Sequence, residues 1–563
     1  MTFSFESPAI CLAIALAWDR DGSGHVSELA GAHLGFEVRR ACLLAVEVQR
    51  GDAVVPTGLD PLDHLDEDEP SVTELGDARV EPPCSDRVPI SVRCFSRRHT
   101  GQPPNFMPFH CAFHDMRSVD VAVIGSGVGG MCAAARLADK GFEVAVYERM
   151  PYIGGRFSTV EYRDHKVTTG GEMIALGDVF QETFDEVGAE FPVTTGVKAY
   201  YKMEGQNVNA DEAGLMGLLR EAADDEAEAE KVMAATKRGL SWFKPLDTVT
   251  LEEWIRNITD DDGVYELYHK ISAAFIGINA DEVPAREFFN YLEVASSTTG
   301  TGIAKGGNIE LWHSLGEVVR DNGGTIETDT TVQDVVVEDG SARGVVVPDG
   351  DESETKIRAE CVVSNAGPQA TIEMAGREHF TPDYLEAIDA TRSPGVIMLQ
   401  VESEQALMED PGPLVPLDTE RVCFLLTPTL MDPSLSPEGK HHLIAYATLP
   451  ESDKPETSEV GIERAIEDLE DLFPGRGDRW EILRTPTFHG DWPVYRAWPG
   501  DNLPQKTPVQ DLYNVGDGVK PPGWSGISAN AQTAKLVVDD MLARHDAPHP
   551  DEGKADRARG EEA

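Results

Sequence analysis

The stretch VDVAVIGSGVGGMCAAARLADKGFEVAVYE, from Val119 to Glu148, constrains the fold more than any other part of the chain. Val119 to Ile124 is a short apolar run broken only by Asp120, with the length and β-branched content of a buried parallel strand. Gly125, Gly127 and Gly130 follow in G-x-G-x-x-G spacing, with Gly129 as an additional glycine. Met131 to Lys140 carries Ala and Leu at helical spacing. Gly141 takes the position past its end, where left-handed dihedrals are favoured. Val144 to Tyr147 reads as a second strand, and Glu148 ends it. In such a unit the first glycine permits a tight turn. The second lets the backbone approach a pyrophosphate, and the third lets helix and strand pack closely. The helix N-terminus offers free N–H groups to phosphate. An acid about twenty residues on can accept hydrogen bonds from a ribose. The spacing alone is a weak signal; a strand before it, a helix after it and an acid at its end make it a specific one.

The charge balance excludes classes of partner. Asp and Glu number 99 against 48 Lys and Arg, a net charge of −51 spread along the chain. Nothing in such a chain neutralises a phosphate backbone, so nucleic acid is not expected as a partner. The expected setting is a halophilic cytoplasm, where salt screens self-repulsion. No apolar run reaches the roughly 18 residues of a membrane span. Ala9 to Trp18 is short and lacks a preceding basic segment, so it does not read as a signal peptide. The eight cysteines include no C-x-x-C pair, so no metal site is expected.

Residues 1–115 hold no lysine, five of the eight cysteines and six of the fifteen histidines. They read either as a small extra domain or poorly ordered arm or, preferably, as an artefact of gene-start assignment with translation from Met116. Beyond Met116, Gly154–Gly155–Arg156 sets a cation after a tight backbone, and Gly170 and Gly171 lead into Glu172 and Met173. Residues 178–296 read as mostly helical, with Asp211 to Lys237 one long acidic helix. Thr250 and Glu253 form a capping box. Lys305, Gly306 and Gly307 lead into a helix from Ile309 to Val319. Residues 323–347 alternate like a β-meander whose central strand begins at Val332. Cys361 to Gly367 is a buried strand running into a turn. A last strand ends at Gly516–Asp517, and after a Pro/Gly loop a helix starts at about Gly526. The tail 546–563 reads as disordered.

The first glycine turn and the Gly516–Asp517 turn look like parts of one nucleotide site, far apart in sequence. A domain for NAD alone closes in far fewer residues. An extended flavin dinucleotide, FAD, suits the longer plan, its adenosine at the first unit and its isoalloxazine at the last. Asp517 is placed to bond a ribityl or pyrophosphate hydroxyl. Arg156 can neutralise the pyrophosphate. The helix from Gly526 aims N–H groups at the flavin edge where charge accumulates on reduction.

These motifs in this order resemble the phytoene desaturase and amine oxidase superfamily of flavoproteins, over roughly residues 116–545. The carrying residues are Glu148 with Gly154–Gly155–Arg156, the TGGEM turn, the KGG loop, Val362 to Asn365, and GDGVKPPGWSGISANAQTA. The resemblance implies an α/β fold: a Rossmann-like FAD-binding domain (116–177, 305–375 and 501–545) with a mixed α+β substrate domain inserted (178–304 and 376–500). It assigns FAD contacts to Gly125, Gly127, Gly129, Gly130, Glu148, Arg149, Gly155, Arg156, Gly171, Val332, Gly516, Asp517, Gly526 and Ile527. Arg149 stands where many members carry Lys, and Trp524–Ser525 replaces the usual small apolar residue. No cysteine stands in the C-terminal motif, which favours noncovalent FAD.

The expected activity is hydride transfer between flavin N5 and an apolar polyisoprenoid, with peripheral membrane contact. The alternatives are amine oxidation, a redox-neutral carotenoid isomerase, or a flavin scaffold without turnover. No residue stands out as the catalytic base. Trp492, Tyr495 and Trp498 either wall the flavin pocket or belong to the core. Lys305 is read as a surface lysine in preference to one holding a water at N5. The oligomeric state is left open.

Overall fold

The computed structural model describes residues 117–241, 244–349, 353–454 and 458–544. All lie in the second of the two units into which the chain divides, Pro108–Ala563. The expectations for residues 1–115 and 546–563 fall outside the described residues.

The main sheet has seven strands: β1 (Ser118–Ile124), β2 (Val144–Tyr147), β3 (Thr325–Glu327), β4 (Asp334–Glu338), β5 (Ser341–Asp349), β6 (Ser353–Ser364) and β7 (Leu512–Asn514). Their order is β3-β2-β1-β6-β5-β4, with β7 also on β6. One edge of β6 meets β5 over its first half and β7 over its last three residues. Ile124 pairs with Tyr147 and with Ser364, and Ser364 pairs with Asn514. The carboxyl ends of these parallel strands therefore lie level along one rim, where open α/β sheets bind ligands.

Helices α1 (Val128–Asp139) and α2 (Gly526–Arg544) cover one face of this sheet. They share a core of Met131, Leu137, Val363, Ala534 and Met541 with Trp312. Each large apolar side chain fully buried there contributes roughly 1.5–3 kcal/mol. The other face buries Ala122, Tyr147, Val345 and Ile372.

A second sheet of eight strands is mostly antiparallel and is built largely from residues 396–488. The hairpin Tyr200–Met203 and Gln206–Asn209 extends it, Leu414 pairing with Tyr200. Helices Ala210–Ala222, Asp262–Phe275 and Ala285–Ala295 pack with it around Tyr268, Phe288 and Phe289. Among the described residues no helix is long and apolar enough to cross a membrane.

Several elements differ from the sequence reading. Strands Val193–Val197, Tyr200–Met203 and Gln206–Asn209 interrupt the region read as helical. The long acidic helix is two, Ala210–Ala222 and Glu226–Ser241. Ala223 is extended, and the Asp225 carboxylate accepts the Glu228 N–H (3.0 Å), the work of an N-cap. An aspartate that looked like one more surface charge thus starts a new helix. β3 does not join the meander: it pairs parallel with β2 at the sheet edge. The next strand starts at Asp334, two residues after Val332, because the ladder to β5 begins at Asp334–Val346. The capping box at Thr250 and Glu253 is present.

Candidate functional site

A cavity of about 720 Å³ lies along the strand rim. Gly125, Gly127, Glu148, Arg149, Gly155, Arg156, Gly171, Val332, Asp517, Gly526 and Ile527 all line it. Gly129, Gly130 and Gly516 stand just behind the lining and set how closely its walls approach. A Cβ on Gly130 would strike the carbonyl of Gly125. One on Gly129 would lie 2.9 Å from the Gly516 amide nitrogen and 3.0 Å from Asn365 Nδ2. Gly516 itself holds a positive φ of 108°. Gly129, an additional glycine in the motif, therefore has its own reason: it lets α1 sit against the last strand's turn.

Asn365 ties these pieces together. Its N–H donates to the Ile124 carbonyl (2.7 Å) and its Nδ2 to the Val515 carbonyl (3.0 Å). Its side chain also fills the space a Cβ on Gly127 would need. Glu148 is buried at the end of β2. Its carboxylate accepts from Ser126 N–H (2.8 Å), Ser126 Oγ (2.7 Å) and the Met150 N–H (2.8 Å). That fixes its orientation and leaves Oε1 with capacity for a hydroxyl donor.

Arg156 and Asp517 meet each other, 361 residues apart in sequence. Arg156 Nη2 lies 2.7 Å from Asp517 Oδ2, and Nη1 donates to the carbonyls of Pro493 (2.7 Å) and Val494 (2.8 Å). The cation expected to neutralise a pyrophosphate is thus already balanced by the acid expected to bond a hydroxyl. A third guanidinium, Arg496, stands in the lining. Burial, then the charge of Arg156, lowers its pKa to about 10, with Arg149 adding to the same effect. Its Nη2 donates weakly to the Asp491 carbonyl (3.3 Å). Crowded cations that depress one another are a site that gains from an anion. The N-termini of α1 and α2 reach the same lining through Val128 and Ser528 and add partial positive charge.

The remaining lining is apolar, with Phe275, Tyr291, Phe424 and Tyr446 among it. Trp492 and Tyr495 line the cavity, Tyr495 Oη lying 2.9 Å from Ser525 Oγ. Trp498 does not; it is a core residue with Arg392 stacked 3.8 Å over its ring. Ser525 faces the cavity while Trp524 packs on the core of the main sheet. Lys305 is exposed and outside the lining. Among the described residues no cluster of His, Cys, Asp and Glu is arranged to hold a metal.

The model of the family described as flavin containing amine oxidoreductase matches residues 128–541. The chain belongs to that family. It is a flavin-dependent oxidoreductase. It is similar to an uncharacterized protein of Methanocaldococcus jannaschii, 26% identical over 74% of this chain and 98% of that one. It is similar also to a neurosporene-forming phytoene desaturase of Cereibacter sphaeroides, 24% identical over 76% of this chain and 96% of the relative. An oxidoreductase structure from Methanosarcina mazei superposes with a TM-score of 0.67, at 27% identity, over 75% of this chain and all of that one.

The lining of this flavoprotein fits a dinucleotide. Two helix N-termini, a glycine-rich turn, the buried Glu148 carboxylate and a cation cluster share one cavity. Sequence reasoning missed Asn365 and Arg496. Asn365 stood in a quoted motif, but its partners are remote. Arg496 had no local signal at all.

Proposed function

We propose that the chain is an FAD-dependent oxidoreductase of the phytoene desaturase type, acting on an apolar, polyisoprenoid-like substrate. The observation that carries this is one cavity whose polar wall joins the two ends of the fold and whose remaining wall is aromatic and aliphatic. The named activity of the Cereibacter sphaeroides relative supports the substrate class. The domain division given above, with FAD held by the first, middle and last segments, is part of the proposal, as is peripheral contact with a membrane that dissolves such a substrate.

When bound, the flavin supplies two-electron redox chemistry. Gly125, Gly127 and Gly155 let the backbone approach the dinucleotide, Glu148 accepts from its ribose, and the Val332 backbone meets adenine. Arg496 and Arg149 balance the pyrophosphate, while Arg156 anchors Asp517. Phe275, Tyr291 and Phe424 exclude water and hold the substrate by apolar contact. Binding is noncovalent. Cys423 lines the cavity, but burial raises its thiol to about 12, far from the thiolate needed for attachment.

The test is anaerobic flavin reduction with phytoene, lycopene and simple amines. Bleaching by phytoene or lycopene is expected; bleaching by amines alone would reject the substrate class. That second reading is favoured by the Phe424–Tyr446 pair, with ring centroids 5.8 Å apart in the lining. Arg496→Met is expected to weaken FAD binding by roughly 10- to 100-fold, the loss of a charge-assisted contact of about 1.5–3 kcal/mol. Titration of the apoprotein with FAD checks it. An unchanged Kd would assign the pyrophosphate to other groups.

A further inference from the structure

Four carboxyl groups stand in the cavity lining: Glu148, Glu172, Asp491 and Asp517. Glu148 is held by three donors, Asp517 by Arg156, and Asp491 is exposed. Glu172 differs from all of them. It is 5% exposed. Asn308 Nδ2 reaches its Oε2 at 3.3 Å and the Gly171 carbonyl at 3.0 Å. No ion pair to it is formed among the described residues. Its chain neighbour Met173 also lines the cavity, as does Tyr446, whose hydroxyl reaches the Gly170 carbonyl two residues before it.

Asn308 comes from the KGG loop, whose role the cofactor site does not explain. It is fully buried and its Oδ1 has no hydrogen-bond partner among the described residues. Its backbone N–H is fixed on Thr159 Oγ1 (2.8 Å). A rigid amide therefore holds one carboxyl oxygen of Glu172, and the Thr168 hydroxyl also hydrogen-bonds the carboxyl group.

We propose that Glu172 is the acid–base group of the flavin reaction. This rests on the desaturase reading above. Removing two hydrogens from adjacent carbons breaks one C–H bond with its electron pair, as hydride to the flavin. The other C–H bond leaves its pair behind to form the new C=C bond, and its proton bonds to the Glu172 carboxylate. The substrate loses two electrons, the flavin gains two, and neutral Glu172 then releases the proton to solvent. In the reverse direction Glu172 donates it.

Burial raises the Glu172 carboxyl to about 7. Both protonation states are then populated near neutrality, the condition under which a group both takes and gives a proton effectively. The titratable group facing it is Tyr446, whose hydroxyl donates to the Gly170 carbonyl (2.6 Å) and is itself held neutral by burial.

The holoenzyme and its Glu172→Gln and Glu172→Asp variants test this without a known substrate. Flavin reduction adds negative charge nearby and raises the carboxyl's proton affinity. The midpoint potential of the bound flavin, measured from about pH 5 to 9, should therefore bend in slope near pH 7 in the wild type. Glu172→Gln should lose the part of the bend that the carboxyl group contributes, keeping only that of the reduced flavin's own N1 proton, with flavin content unchanged. With phytoene in detergent micelles, Glu172→Gln should reduce its flavin roughly 10²- to 10⁴-fold more slowly, and Glu172→Asp should recover part of that. Identical slopes in wild type and Glu172→Gln overturn the proposal while leaving the flavoenzyme reading intact. So does loss of flavin from the variant, which marks a structural role. A wild type that takes up no flavin overturns both.

Discussion

Glu287→Ala is expected to cost about 3–5 kcal/mol of stability and to release the flavin. Glu287 and Lys520 form an ion pair of 2.7 Å, with both side chains about 5% exposed. The second oxygen of Glu287 accepts the Gly523 N–H at 3.0 Å. Removing the carboxylate leaves a cation and a backbone donor buried without partners, which costs more than the pair itself contributes. The same change frees the Pro521–Gly526 loop that aims α2 at the cavity. Thermal unfolding of the holoprotein and FAD titration of the apoprotein check both halves. Glu287→Leu combined with Lys520→Met, which removes both charges, should recover most of the stability. A Glu287→Ala protein with wild-type Tm would show that water reaches Lys520 and that the pair is not truly desolvated.

Gly129→Val carries the second large effect. Even a methyl group at this position would crowd the Gly516 amide and Asn365 Nδ2, and neither can retreat. Gly516 N–H is held by Thr533 Oγ1 (2.7 Å) and Asn365 by the Val515 carbonyl. Relief requires α1 to move off the last strand's turn, at about 1–3 kcal/mol for overpacking. The cavity would open at its polar wall, and FAD affinity is expected to fall by at least roughly 10-fold. Absorbance of the purified variant near the flavin bands is the measurement. A yellow protein of normal flavin content would mean that the seam is softer than its hydrogen bonds imply.

Much of the site was legible because its pieces are local. The first strand, its glycines, α1 and Glu148 are contiguous, so period and spacing carry them. The α2 start and the Gly516 turn are local as well. What could not be read was pairing across the chain. Arg156 and Asp517 were each assigned to the cofactor, and nothing in either neighbourhood says that they bind one another. Trp492, Tyr495 and Trp498 look alike in sequence, yet only the first two reach the cavity, because Trp498 instead packs under Arg392. Asp225 looked like one acid among many until its carboxylate was seen to accept a helix N–H. β3 carries the alternation of its neighbours, and only the parallel partner β2 shows that it closes the sheet edge.

Asn365 joins Gly127 to the Gly516 turn behind the cavity's polar wall. Arg156 is translated 361 residues before the Asp517 that it binds. The first βαβ unit emerges before the other pieces and must wait with its glycine turn uncovered. Premature termination anywhere before α2 yields a chain that no amount of FAD can complete. Contacts of such long separation also close slowly. Flavin uptake should accordingly wait for translation of α2.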